Sequence, residues 1–136
     1  MNSESYKLLQ QSDGVGFYAE VSVVVSPSEE ESTVEMSEDV FAWLKDEYGK
    51  DAWEWPVCDD YREAALRGAR HALANIGQQC KSSIRCEVSI IRAHPAHSTE
   101  DAVAYASCHA TWKAIGVPGI NQPYWDARVV RFPCGT

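Results

Sequence analysis

The sequence predicts an α+β domain, a two-layer sandwich with helices packed on one face of a mixed sheet. Three observations carry that expectation. Apolar and polar residues alternate with a period of two in residues 17–25 and 84–90, the mark of strands with one buried face. Apolar residues recur at helical spacing in residues 60–76, and a capping box with a terminal glycine marks a second helix between 99 and 116. No internal repeat, low-complexity tract or linker divides the 136 residues, so a single domain over 1–136 is expected.

The first element is a hairpin. Phe17, Ala19, Val21, Val23 and Val25 alternate with Tyr18, Glu20, Ser22 and Val24, and the preceding "YKLLQQ" is short and apolar enough to be their partner strand. Between them "SDGVG" supplies Asp13-Gly14, a pair suited to the positive φ angles of a tight turn. A glycine loop that cradles phosphate precedes a helix, whose N-terminus faces the anion. Here a strand follows, so the glycines mark a bend.

Residues 26–36, "SPSEEESTVEM", read as a polar connection ending in a short strand at Thr33–Met36. Ser37 is a good N-cap with Glu38 and Asp39 behind it, and Val40, Phe41, Leu44 and Tyr48 then follow helical spacing up to Gly49. "DAWEWPVC" fits either an edge strand or an ordered loop. Asp59 or Asp60 caps the helix 60–76, whose stripe is Tyr61, Ala65, Leu66, Ala69, Ala72, Leu73 and Ile76, and Gly77 ends it. "IRCEVSII" alternates as a strand. Ser98 and Asp101 form a variant capping box opening the helix "TEDAVAYASCHATWKAI", which packs Trp112 and stops at Gly116. "GVPGINQPYWD" reads as loop and "ARVVRF" as a last strand.

Composition narrows the function. Residues 1–20 hold no apolar run of signal-peptide length and nothing approaches a membrane span, so a cytoplasmic protein with no membrane partner is expected. The five cysteines are widely spaced without a C-x-x-C, which points to free thiols packed as small hydrophobes. The net charge of −8 is unevenly placed: residues 26–60 carry twelve Asp/Glu against Lys45 and Lys50 alone. Without clustered Lys/Arg, free duplex DNA is not an expected partner. The acidic segment is either a solvated face or a docking surface for a basic protein. Glu29, Glu30, Glu31 and Glu35 with Trp43, Trp53 and Trp55 form its candidate recognition surface, although tryptophans also serve to cover the end of a small core. Arg62, Arg67 and Arg70 are a basic strip or a solvated helix face.

Catalytic and metal chemistry find little support. His94 and His97 with Cys108 and His109 offer ligand types that zinc accepts. Adjacent helical residues point about 100° apart, so at most one of Cys108 and His109 could join a shared site. No metal or other cofactor is therefore expected. His71 lies beside Arg67 and Arg70, which disfavour the protonated form a general acid requires, and Ser98 serves better as a cap than as a nucleophile. The chain reads as a non-catalytic binding module.

The stretches "LLQQSDGVGFYAEVSVVVSP", "YREAALRGARHAL", "IRCEVSII" and "HSTEDAVAYASCHATWKAIG" together resemble the fourth domain of translation elongation factor G, over residues 6–25 and 60–116. The resemblance implies a four-stranded sheet with two helices on one side and an uncommon left-handed β-α-β crossover, where general rules favour the right-handed one. It also implies a working tip. The loop "RAHPAHST" would bring Arg92, His94, His97 and Ser98 to a ribosomal or other RNA–protein surface. Residues 26–59 depart from the family in being longer and more acidic, and no G-x-x-x-x-G-K-[ST] accompanies the domain.

Overall fold

The computed structural model describes all residues except 1, 13, 50–55, 77–82, 94–97, 118 and 134–136. Among the described residues, six strands and three helices follow one another: β1 (Asn2–Ser12), β2 (Val15–Pro27), β3 (Thr33–Met36), α1 (Ala42–Tyr48), α2 (Pro56–Ala74), β4 (Ile84–Arg92), α3 (Glu100–Ile115), β5 (Tyr124–Asp126) and β6 (Val129–Arg131). The main sheet has the order β1-β2-β4-β3, with β3 parallel to β4 and the other pairs antiparallel. Helices α2 and α3 cover one face of it, α3 over β1 and β2. This is the two-layer α+β sandwich with a mixed four-stranded sheet.

The opening hairpin forms as its residues dictate. Ser12 pairs with Val15 across a two-residue turn, and Gly14 takes φ +75° there. Asp13 lies outside the described residues. Phe17, Ala19, Val21, Val23 and Val25 all point into the core.

The alternation on β4 fails at one point. Ile84, Cys86 and Val88 are buried, but the next inward residue is Ile91 and Ile90 lies exposed. The cause is a bulge: the register slips between Ser22 and Val23, so that Ser22 faces Ile90 while Val23 faces Val88. The hydroxyl of Ser89 donates to the Ser22 carbonyl at 3.1 Å, satisfying the locally disrupted ladder.

Other boundaries differ from the sequence expectation for identifiable reasons. Ser37 caps a turn, its hydroxyl oxygen accepting from Asp39 N–H, and α1 begins only at Ala42. Of "DAWEWPVC", Pro56–Cys58 are the first helical residues of α2, with proline where its missing N–H is harmless; residues 51–55 lie outside the described set. Helix α2 stops at Ala74 because the Asn75 side chain donates to the His71 carbonyl at 2.8 Å, while Ile76 bridges to Gly119. Thr99, not Ser98, caps α3, its hydroxyl oxygen accepting from Ala102 N–H. Gly116 ends that helix at φ +84° as expected. The last strand is β6, but it joins no edge of the main sheet. It pairs with β5, a strand inside the supposed loop, and Ala127 turns the hairpin at φ +55°.

Close helix contact rests on small residues. Gly68 of α2 lies against the backbone of Ala104 in α3, and Ser107 donates its hydroxyl to the Ala65 carbonyl at 2.6 Å. Cys58, Cys86 and Cys108 are buried as thiols in the interior. Burial pushes the Cys86 thiol up to about 11 and the Cys108 thiol upward as well, so both stay protonated near neutrality.

Between α3 and β1, the His109 ring stacks on Tyr6 at 5.0 Å and packs 4.5 Å from Tyr105, with its Nε2 buried and unbonded. Burial therefore holds His109 below the ordinary histidine value. The unfolded chain takes up a proton that the folded ring resists, so stability is full above the ordinary value of 6.5 and falls as the pH drops below it. A thermal melt series against pH is expected to flatten in that window for His109→Phe, which stays neutral throughout.

Candidate functional site

The β1–β2 hairpin is longer than the sheet that holds it. The last partner of β4 on β2 is Glu20, opposite Arg92, so Leu8–Ala19 run on as a two-stranded arm past the end of β4. Three contacts stiffen this arm. The Phe17 ring meets Trp125 of β5 with centroids 4.7 Å apart, and Trp125 in turn packs on Tyr105 of α3. The Ser98 hydroxyl donates to the Tyr18 carbonyl at 2.6 Å, tying the end of the β4–α3 connection to the arm. Arg92 pairs with Glu20 at 3.6 Å and lies over the Trp43 ring at 5.6 Å. An open hollow of about 420 Å³ follows the arm, lined by Leu9, Gln10, Gln11, Gly16, Phe17 and Tyr18.

The electrostatics of this end are mild. The Tyr18 phenol is raised above its usual value by burial and then by Glu20, with Arg92 opposing. Among the described residues, no cluster of His, Cys, Asp or Glu could hold a metal ion. Cys108 packs with Ala72 and Trp112, whereas its neighbour His109 stacks on Tyr6 and tilts against Tyr105, so the two are directed apart and share Trp112. Chemically, the arrangement can bind by shape, hydrogen bonding and one guanidinium.

Of the tip residues that the sequence singled out, Arg92 and Ser98 stand at the two ends of the connection beside the arm. His94 and His97 lie outside the described residues. Among the described residues, Glu29–Glu31 and Trp43 stand apart. Glu29, Glu30 and Glu31 follow β2 at the end where Pro27 pairs with Ile84, and Glu35 is engaged by Arg85 at 2.6 Å. Trp43 stands at the other end of β4, donating its indole N–H to the Ile91 carbonyl at 2.6 Å. Along a strand rising about 3.3 Å per residue, that separation is roughly 25 Å. Trp53 and Trp55 lie outside the described residues. Arg62 pairs with Asp59 and Arg67 with Asp101, so neither is an unengaged cation of a basic strip.

Sequence reasoning missed two residues that build the site. Trp125 stood in a supposed loop, and its pairing as Tyr124-Trp125-Asp126 against Val129-Val130-Arg131 was legible only as a weak three-residue alternation. Asp101 was read as a capping residue. Its carboxylate instead accepts from Arg67 at 3.2 Å and from the Val130 N–H at 2.9 Å, fastening the β5–β6 hairpin to both main helices. Asp101→Asn is expected to loosen that hairpin at a cost of about 1–2 kcal/mol, read by denaturant titration, because a charged acceptor to two donors is lost.

Comparison with known proteins extends the fold and stops there. No protein-family model matches the chain, and no curated protein sequence does. A solved structure from Thermus thermophilus superposes with a TM-score of 0.57 at 19% identity, over 82% of this chain. The chain spans 15% of the length of that protein. A likeness at this identity shows the fold alone.

Proposed function

We propose that the protein is a non-catalytic binding module that docks through the open end of its sheet onto a ribosomal or other RNA–protein surface. The observation that carries this reading is the stiffened arm: a hairpin that outruns its sheet, buttressed by Trp125 and tied by Ser98 to the connection that follows Arg92. An arm of this shape suits insertion into a concave partner, and a pre-stiffened one loses less conformational entropy on binding. The resemblance of residues 6–25 and 60–116 to the fourth domain of elongation factor G supports the same end of the fold as the working one. On this reading Arg92 contributes a charge-assisted contact, and His94 and His97 contribute hydrogen bonds or stacking.

Co-sedimentation with ribosomes across a salt series tests the proposal. Wild type should bind saturably, more weakly as salt rises. The triple variant Arg92→Ala, His94→Ala and His97→Ala should lose about tenfold in affinity while keeping its fold, as the loss of a few interface anchors does. Equal binding by the folded variant would remove the tip from the binding surface.

The reading of residues 26–60 as a surface for a basic protein is weaker, since Glu35 is already paired with Arg85 and Trp43 stands apart from Glu29–Glu31.

A further inference from the structure

We propose that the chain self-associates through the outer edge of β1, two copies pairing antiparallel about a two-fold axis at Leu9 to make one continuous sheet.

The edge is open where this requires it. Because Ser12 and Val15 close the two-residue turn, the even-numbered residues of β1 bond to β2, and the odd-numbered ones turn N–H and C=O outward. Two side chains agree with that parity. Lys113 Nζ donates to the Ser5 carbonyl at 3.2 Å, and Gln10 Nε2 donates to the Gln11 carbonyl at 3.2 Å. The first closes the edge toward the start of β1. The second is an exposed contact between neighbours and is readily displaced. Among the described residues, no hydrogen bond reaches the outward backbone groups of Lys7 and Leu9. The stretch Lys7–Gln11 also lacks the proline, bulge and cluster of charges that commonly blunt an edge.

The side chains make the same stretch self-complementary. Centred on Leu9, the pairing sets Lys7 of one copy against Gln11 of the other, so no like charges meet. Leu9 is 70% exposed on the sheet face away from the helices and stands opposite Tyr18. In the pair, Leu9 meets Leu9 and the row becomes Tyr18-Leu9-Leu9-Tyr18 across both copies, over the apolar hollow described above. Cross-strand pairs of this kind are what stabilise a sheet.

Charge favours a second copy at this edge in particular. Glu35 lies on β3, the opposite edge of the sheet, and Glu29–Glu31 lie in the connection leading into it. Two chains of net charge −8 thus meet by the edge farthest from those acids, which end up outermost. The contact is short, so the association should be weak and concentration-dependent. It leaves each tip turn at an opposite end of the joint sheet.

Sedimentation equilibrium over a concentration series is the test, with circular dichroism confirming that each variant folds. Wild type should show a reversible monomer–dimer equilibrium. Leu9→Lys and Gln11→Lys should each weaken it about tenfold or more, the first by opposing two ammonium groups at the axis and the second by opposing each new one to Lys7. Adding Lys7→Glu to Gln11→Lys should restore association, which only this register predicts. A chain that stays monomeric up to millimolar concentration would overturn the proposal. So would a dimer indifferent to Leu9→Lys and Gln11→Lys.

Discussion

Replacing Trp112 by alanine is expected to destabilise the fold by about 3–5 kcal/mol, the largest single effect in the molecule. The indole is buried between α2 and the segment after α3, only 4% exposed. Its N–H donates to the Ala72 carbonyl at 2.9 Å, and Gly119 packs directly on its ring. His71 and His109 both meet it in T-shaped geometry, with centroids at 6.3 and 5.4 Å. Truncation would therefore leave a cavity and take one of two donors from the Ala72 carbonyl, which keeps the Asn75 N–H at 3.2 Å, so the cavity is the main cost. A loss of that size lowers the melting temperature by roughly 10–20 °C in a chain of this length. Trp112→Phe keeps most of the volume and loses the donor, so it should fall by less than half as much. If alanine melts within a few degrees of wild type, the packing of α3 against α2 described here is wrong.

The second large effect is expected at Gly68. Alanine is ordinarily the better helix former by about 1 kcal/mol, and Gly68 sits in the interior of α2, so local propensity alone predicts stabilisation. The structure predicts the reverse. A methyl group at Gly68 would fall on the carbonyl of Ala104, backbone against which it has no room. The helices must part or slide, and overpacking of this kind costs about 1–3 kcal/mol, sometimes more. Gly68→Ala should thus be destabilising by about 2 kcal/mol in a denaturant titration, and Gly68→Val by more. The opposite sign for alanine would mean that α2 and α3 do not touch at this point.

Which parts of this were legible in the sequence follows from which were local. The hairpin was, since its alternation and its turn at Gly14 act between chain neighbours. The stripe of α2 and the Gly116 stop of α3 were legible for the same reason. The bulge at Ser89 was not, because "IRCEVSII" alternates equally well without it and only pairing with β2 puts Ile91 inward. By type Ser98 is the better cap of the two. The choice fell to Thr99 because Ser98 is engaged by the Tyr18 carbonyl, eighty residues away in sequence. The candidate site divides in the same manner. Arg92 and Ser98 could be named from the loop they bound, but the arm and its Trp125 buttress depend on strand register and on a hairpin of two three-residue strands. Sequence proximity grouped Glu29–Glu31 with Trp43, whereas the length of β4 separates them.

On the function proposed above, the end of the sheet bearing the arm is the docking surface. Hydrogen–deuterium exchange of the protein with and without ribosomes, at one fixed protein concentration, tests it most directly. Slowed exchange confined to Leu8–Glu20 and the connection after Arg92 is the predicted result. Slowed exchange at Pro27–Met36, with the arm unchanged, would contradict it and assign recognition to the acidic end instead.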